Sequence, residues 1–237
     1  MLLFYVRHGH PTYDPDALLP LGRKEAEAVA KRLALFGVDK IFASSSNRAM
    51  ETAQPTCDLL QKEMTILDFA NESYAYKDLS MKLTENRRCW VFQHPEARRI
   101  FTDPTEPQNR AWYDHPKFEG YRYKEGIERI QRETDGFLAS LGYEHIPGRG
   151  IYKAVAPNNE RVALFAHQGF GIAFLSCLLD IPYPQFSVHF DLSHSSLTVI
   201  EFPEDGEFSI PRVCTLSSDA HLYREGLPTE YNSRFRY

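Results

Sequence analysis

Apolar and polar positions follow two different periods over the first 65 residues, and together they predict a β-α-β-α beginning. The unbroken apolar run Leu2–Val6 is typical of a strand buried on both faces. A helical stripe follows the strand, and Gly37 is expected to end that helix. The residues of the stripe are Ala26, Val29, Ala30 and Leu33. A second strand is predicted over Lys40–Ala43, and Arg48 opens the next helix.

Regular patterning returns in the C-terminal half of the chain. A helical stripe there is made of Ile127, Ile130, Thr134, Phe137, Leu138 and Leu141. Gly142 is expected to end this helix, and residues 147–159 are rich in Pro, Gly and Asn and predict a loop. We then predict a buried strand over Val162–Ala166, a buried helix over Gly171–Leu179 and a final strand over Ser195–Phe202.

Residues 66–125 interrupt this alternation. They are rich in charge and proline and contain no clean strand pattern, so they are interpreted as an insertion that lies over the sheet edge as a lid. Trp90 and Trp112 are expected to form the insertion's own small core. The polar tail from Thr215 to Tyr237 carries no chemistry that the sequence predicts. The chain is therefore expected to form one α/β domain over residues 1–237, a three-layer αβα sandwich with a mostly parallel central sheet.

Composition narrows the classes of partner. The chain has 237 residues, of which 43% are hydrophobic, enough for a full core. A net charge of −5 gives no general attraction to nucleic acid or to anionic membranes. The four cysteines form no Cys-x-x-Cys pair, which argues against a zinc ribbon or a redox motif. The apolar start is too short for a signal peptide, and no stretch reaches the length of a membrane span. We expect a cytoplasmic protein that binds neither nucleic acid nor membrane, and the oligomeric state stays open.

Candidate chemistry lies where the predicted strands end. Arg7 and His8 follow the first strand directly, and His167 follows the Val162–Ala166 strand in a second His-x-Gly context. Arg48 comes after a Ser/Asn-rich segment that would cap the next helix and leave backbone N–H groups free for an anion. The carboxyl ends of parallel strands meet at one sheet edge, where ligands bind in open α/β sheets. The sequence therefore predicts one anion site that contains Arg7, His8, Arg48 and His167.

Four motifs carry a resemblance to a known family. They are Arg7-His8-Gly9, Leu19-Pro20-Leu21-Gly22, Ser44-x-x-x-Arg48-Ala49-x-x-Thr52-Ala53 and His167-x-Gly169. In this order they resemble the histidine phosphatase superfamily, also called phosphoglycerate mutase-like. The motifs lie in residues 1–65 and 160–200, so the resemblance covers the sheet core and says little about the middle or the tail.

The resemblance implies a role for each of these side chains. His8 would be the nucleophile, with one ring nitrogen donating to a backbone carbonyl while the other attacks phosphorus. Arg7 and Arg48 would bind the phosphoryl oxygens with planar guanidinium groups, and His167 would donate a further hydrogen bond. The scheme needs no cofactor and no metal. His8-x-His10 could be half of a metal site, but neighbouring guanidinium groups repel a cation, and no carboxylate is grouped with it in the sequence.

The leaving oxygen also needs a proton donor. Asn71-Glu72-Ser73-Tyr74 resembles the Asn-Glu-x-x-Tyr stretch of the mutase branch, so Glu72 is the predicted acid. The Gly-x-Trp-Glu-Gly context of phosphatase members is absent from this chain. Asp68, Asp78 and Glu85 remain alternatives for the same role. His194 and Ser195, which open the final strand, could lean toward the pocket, but the preferred interpretation is that they only end a loop.

The departures from the family pattern favour hydrolysis of a phosphomonoester over transfer. His10-Pro11-Thr12-Tyr13 occupies the place where the mutase branch carries a glutamate and an asparagine-containing loop. The expected partner is a phosphorylated small molecule of unidentified structure. Two other hypotheses stay open, a cofactor-dependent phosphoglycerate mutase and a catalytically weak protein that binds a phosphorylated ligand.

Overall fold

A computed structural model describes residues 1–105, 112–204 and 206–232. The strands are β1 (Leu2–Arg7), β2 (Pro11–Tyr13), β3 (Asp16–Leu18), β4 (Lys40–Ser44), β5 (Met64–Leu67), β6 (Ser80–Thr84), β7 (Arg87–Trp90), β8 (Tyr143–Ile146), β9 (Ile151–Ala154), β10 (Arg161–Ala166), β11 (Leu197–Glu201), β12 (Phe208–Ser209) and β13 (Arg212–Ser218). The helices are α1 (Pro20–Phe36), α2 (Asn47–Leu60), α3 (Glu72–Leu79), α4 (Pro95–Thr102), α5 (Tyr123–Ser140), α6 (Gln168–Leu179), α7 (Tyr183–His189) and α8 (Ala220–Arg224).

The central sheet has six strands in the order β13-β11-β1-β10-β4-β5. β1, β10, β4 and β5 pair in parallel, and β11 runs antiparallel to both β1 and β13. β11 is therefore the one strand of this sheet that runs opposite to the others. The α/β class and the mostly parallel sheet predicted from the sequence are confirmed.

Successive side chains of β1 point to opposite faces of the sheet and pack into two different apolar clusters. Phe4 and Val6 pack with the apolar faces of α1 and α2, whereas Leu3 and Tyr5 pack with those of α5 and α6. Both faces of the strand are buried, which is why its sequence is an unbroken apolar run. The helices on the two faces make this a three-layer structure.

The segment 66–125 differs from its prediction in two ways. It contains a β-hairpin, in which Ser80 of β6 pairs with Trp90 of β7, so the expectation of no clean strand was wrong. Its aromatic residues do not form a separate core either, because Trp112 stacks on Tyr183 of α7 with ring centroids 5.3 Å apart and belongs to the same cluster as Leu3. The short, charged strands of the hairpin gave no period-2 signal.

Several other elements were not predicted. β8 and β9 form a hairpin across part of the predicted loop, and β13 extends into the predicted tail as a partly exposed edge strand. Helix α7 follows Pro182, between the predicted helix Gly171–Leu179 and the predicted final strand. None of the described helices is long and apolar enough to cross a membrane.

Candidate active site

The strand register brings the three strand ends that carry the predicted site residues to one edge of the sheet. Arg7 lies opposite Ala166, so His8 and His167 follow neighbouring residues of adjacent parallel strands. Ala43 pairs with Phe165 on the other side of β10, so the Ser44–Ser46 segment and Arg48 reach the same edge. The ring centroids of His8 and His167 are 5.2 Å apart. All four side chains predicted for an anion site thus lie together at the carboxyl ends of the strands.

His8 is held in one ring orientation. Its side chain is buried, and Nδ1 lies 2.8 Å from the carbonyl oxygen of Gly9. A carbonyl only accepts, so Nδ1 carries the proton and the lone pair of the imidazole is on Nε2. Burial, His167 and Arg7 together hold the pKa of His8 well below its ordinary value. His8 is therefore neutral at physiological pH, the state in which an imidazole is nucleophilic.

Two glycines fix the loop that carries His8. A Cβ atom at Gly9 would lie 2.6 Å from the Gly22 carbonyl oxygen, and one at Gly22 would overlap the carbonyl of His10. The backbone at Gly9 and the backbone at Gly22 approach so closely that neither position has room for a side chain. This contact explains why the Arg-His-Gly and Leu-Pro-Leu-Gly motifs of this chain both end in glycine.

We expect Gly22→Ala to lower the free energy of unfolding by about 1–3 kcal/mol, because the backbone of the His8 loop must move to relieve the overlap. Urea unfolding followed by circular dichroism measures the change. Gly136→Ala is the matched control, because Gly136 lies within α5 with no atom within 4 Å of the added Cβ. The control should be neutral or slightly stabilising, as alanine favours a helix. Equal stability of the two variants would contradict the argument.

Arg7 is buried and its terminal nitrogens are already engaged. Nη1 donates to Leu192 O at 2.6 Å and to Asn232 Oδ1 at 2.9 Å, and Nη2 lies 2.8 Å from His194 Nε2. The expectation that His194 only ends a loop was therefore wrong. Burial, Arg7 and His10 lower the pKa of His194 to about 2, so its neutral ring accepts the guanidinium N–H.

Arg48 lies between two carboxylates and an aromatic ring. Nη1 donates to Asp16 at 2.8 Å, Nη2 donates to Glu72 at 3.0 Å, and the guanidinium carbon is 5.3 Å from the centroid of Tyr13. Asp16 also accepts from the backbone N–H of Asn47 at 2.9 Å, which joins the β2–β3 hairpin to the start of α2. Sequence reasoning missed Asp16, because its hairpin gives no motif that points to the site.

His167 is fully buried at the N-terminus of α6. Its Nε2 is 2.8 Å from the hydroxyl of Ser44 and 3.2 Å from that of Ser46. Nδ1 faces the acceptor Oε2 of Glu72 at 3.6 Å, so the ring proton is assigned to Nδ1 and the two hydroxyls donate to Nε2. Burial, Arg48 and Arg7 hold the pKa of His167 well below its ordinary value, so it is a neutral donor.

Glu72 is the first residue of α3 and reaches across to α6. Its Oε1 accepts from the backbone N–H of Gly169 at 2.9 Å, while Oε2 contacts Arg48 and His167. Gly169 has no side chain because a Cβ there would overlap the indole of Trp90. Trp90 therefore packs directly against the peptide that holds the carboxylate.

The three alternative acids lie elsewhere. Asp68 is exposed and accepts from Ser45 at 2.6 Å and from Tyr74 at 3.0 Å. Asp78 pairs with Arg129 of α5 at 3.3 Å, and Glu85 is exposed in the turn between β6 and β7. Of the four candidates, Glu72 is the one whose carboxylate contacts the other predicted site residues.

The tail also reaches the site, although the sequence predicted no chemistry for it. Glu230 lies 3.2 Å from His10 Nε2, and Asn232 donates to Asp191 while accepting from Arg7. His10 Nδ1 is 2.6 Å from the buried Glu25, and this hydrogen bond raises the pKa of His10. No local pattern in the sequence joins residues 220 positions apart.

Three buried nitrogens of the site have no hydrogen-bond partner among the described residues. They are Arg7 Nε, Arg48 Nε and His167 Nδ1. All three belong to side chains that surround His8, and unpaired buried donors are costly unless a ligand accepts from them. The arrangement fits an anion with several acceptor oxygens.

A cation fits the same place less well. His8, Glu72 and His167 offer ligand atoms within 4.8 Å of one another, so a carboxylate is grouped with His8, contrary to the sequence expectation. The two arginines beside this group raise the cost of binding a cation, however. The local charge therefore favours an anion over a metal ion.

Comparisons with solved structures find the same fold. The phosphoserine phosphatase of Entamoeba histolytica, in complex with 3-phosphoglyceric acid, has a TM-score of 0.61 and 16% identity, covering 93% of this chain and 98% of that one. A mycobacterial glucosyl-3-phosphoglycerate phosphatase with inorganic phosphate has a TM-score of 0.62 and 18% identity, with the same coverage. The structure titled "Mycobacterial hydrolase 2" has a TM-score of 0.60 and 20% identity, covering 95% and 96%.

A search of curated proteins finds no match to this sequence. A family profile, described as the histidine phosphatase superfamily (branch 1), matches residues 3–214. The match spans most of the chain and includes every strand end that carries a site residue. The chain belongs to branch 1 of the histidine phosphatase superfamily.

Proposed function

We propose that this protein hydrolyses phosphomonoesters through a phosphohistidine intermediate on His8. The observation that carries the proposal is a set of three buried nitrogens that make no hydrogen bond among the described residues, Arg7 Nε, Arg48 Nε and His167 Nδ1, around a neutral nucleophile. A phosphoryl group has the oxygen acceptors that these donors lack, and its transfer depends mainly on positioning and charge stabilisation.

The reaction has two balanced steps. In the first, His8 Nε2 forms a bond to phosphorus while the ester P–O bond breaks, and Glu72, acting as a carboxylic acid, gives its proton to the leaving oxygen. In the second, water attacks phosphorus, the P–N bond breaks, and Glu72 takes a proton from the water. The products are an alcohol and inorganic phosphate, and His8 is again neutral.

Access of water favours hydrolysis over retention of the phosphoryl group. A cleft of about 610 Å³ opens beside Arg48, and one of its walls is Tyr13, which is 68% exposed. A mutase must keep water away from its phosphohistidine between two substrates. The test is release of inorganic phosphate from an aryl phosphate, run beside an assay of 3-phosphoglycerate isomerisation. Isomerisation faster than phosphate release would overturn the proposal.

The pH dependence follows from the lowered pKa of His8. We expect His8 to stay neutral as the pH falls through 6.5. The decrease of kcat/KM on the acid side of the pH profile should therefore begin below pH 6.5. Titration of the free protein by histidine ¹³C NMR measures the pKa of His8 directly.

The lowered pKa values of His8 and His167 also make stability depend on pH. Below about pH 6.5 the histidines of the unfolded chain bind protons, whereas buried His8 and His167 do not. The free energy of unfolding should therefore fall as the pH falls below this value. Protonation of His8 near or above pH 6.5 would contradict both statements.

A further inference from the structure

The residues that line the cleft beside Arg48 indicate which leaving group the cleft can hold. Its lining includes the aromatic residues Tyr13, Tyr76 and Trp90 and the charged residues Asp16, Arg48 and Glu72. A volume of about 610 Å³ falls in the range of about 300–1,000 Å³ typical of small-molecule sites. The cleft is therefore large enough for a leaving group well beyond three carbons.

The charges of the cleft are unfavourable for a second anion. Among the described lining residues Arg48 is the one cation, and both of its terminal nitrogens donate to carboxylates, those of Asp16 and Glu72. The other basic side chains nearby are also committed: His10 contacts Glu25 and Glu230, and the terminal nitrogens of Arg7 have acceptors of their own. A carboxylate on the leaving group would meet Asp16, and no described lining residue offers a free cation to pair with it.

Aromatic and neutral polar groups make up the rest of the lining. Trp90 and Tyr76 meet edge to face with ring centroids 5.1 Å apart, and Trp90 packs against Gly169, so this wall is closely packed. Tyr13 comes from the β2–β3 hairpin. Ser45 and Ser73 donate to neighbouring residues but keep lone pairs on their hydroxyl oxygens, and Asn71 keeps a second amide N–H, so these groups can bond to the hydroxyls of a ligand.

We propose that this cleft takes an uncharged, ring-shaped leaving group that bears hydroxyls, and that it discriminates against esters whose leaving group carries a carboxylate. The inference rests on the proposed phosphatase function and narrows its substrate class. It sets the chain apart from the phosphoserine phosphatase of similar fold, which was solved with the carboxylated ligands 3-phosphoglyceric acid and phosphoserine.

The sharpest test compares two esters of one carbon skeleton. Glycerol 3-phosphate and 3-phosphoglycerate differ in having a hydroxymethyl group or a carboxylate at the far end. We expect kcat/KM to be at least about 10-fold higher for glycerol 3-phosphate, the fold-change that corresponds to 1.4 kcal/mol. Glucose 6-phosphate and a nucleoside 5′-monophosphate should both exceed glycerol 3-phosphate in kcat/KM, and slower turnover of both would overturn the ring-shaped class.

Two variants test the cause of the preference. Asn47 is exposed, so Asn47→Lys adds a cation to the cleft with little risk to the fold, and Asn47→Met is the matched control of similar length without the charge. The lysine variant should raise the ratio of 3-phosphoglycerate to glycerol 3-phosphate turnover about 5-fold, as for a partly exposed ion pair. The methionine variant should leave this ratio unchanged.

The outcomes separate the two proposals. Hydrolysis of an aryl phosphate together with equal or faster turnover of 3-phosphoglycerate would overturn the substrate class and leave the phosphatase function intact. Equal ratios for the lysine and methionine variants would overturn the electrostatic cause. Failure to release phosphate from the aryl phosphate would instead overturn the proposed function itself.

Discussion

Replacing His8 with alanine is expected to abolish phosphomonoester hydrolysis, with a loss of kcat of about 10⁴-fold or more. His8 Nε2 is the atom that would bond to phosphorus, and the neighbouring imidazole at the sheet edge, His167, has its Nε2 against two serine hydroxyls. His167 therefore cannot take over the attack. Rapid acid-free quenching during turnover should trap phosphate on His8 in the unaltered protein and none in the variant.

The control for this prediction is another histidine on the same chain. His189 is exposed at the end of α7, so His189→Ala should hydrolyse at the unaltered rate. Circular dichroism and thermal unfolding of His8→Ala must show a folded protein, because the buried ring leaves a cavity when it is removed. Undiminished hydrolysis by folded His8→Ala protein would rule out the phosphohistidine mechanism.

Glu72→Gln is expected to give the second largest effect, and the effect should depend on the leaving group. The amide oxygen of the introduced glutamine can still accept from the Gly169 N–H, so α3 stays in place, but the amide has no acidic proton to give. Esters with poor leaving groups, such as alkyl phosphates, should lose about 10²–10⁴-fold in kcat, the range for removal of a general acid. A nitrophenyl phosphate, whose leaving oxygen needs little protonation, should lose less than about 10-fold.

The comparison of two esters makes this prediction specific. A residue that only holds Arg48 in place would reduce both esters equally, since phosphate binding is common to them. Glu85→Gln, in the exposed turn between β6 and β7, is the matched control and should change neither rate. Equal losses for the two esters in Glu72→Gln, together with a leaving-group-dependent loss in Asp68→Asn or Asp78→Asn, would transfer the role to that residue.

The sequence predicted the sheet core well because its signals are local. Strand β1 is an apolar run buried on both faces, and the stripe of α1 follows the helical period, so each could be recognised within a short window. The parallel pairing of β1 with β10 then follows from the rule that strand ends meet at one edge of an α/β sheet. The same rule brought Arg7, His8, Arg48 and His167 into one predicted site.

Elements without a strong local period were predicted poorly. The β6–β7 hairpin is short and charged, and β13 is a partly exposed edge strand with weak alternation. Trp112 was assigned to a separate core, yet it joins the main one through Tyr183 of α7, which comes from a much later part of the chain. Such contacts depend on how distant segments pack, and no window of sequence contains them.

The sequence by itself thus determined the identity of the candidate nucleophile, the strand ends that carry it and the α/β layers that bring those ends together. Only the tertiary structure decided what surrounds that core: Asp16 against Arg48, Glu72 anchored on Gly169 under Trp90, and His194 and Asn232 on Arg7. Local patterns reflect the burial of one element at a time, whereas the partners of a site come from loops and termini whose positions are set by long-range packing. For this reason the chemistry proposed for the anion site could be predicted from motifs, while the cleft proposed for the leaving group could be described only from the folded chain.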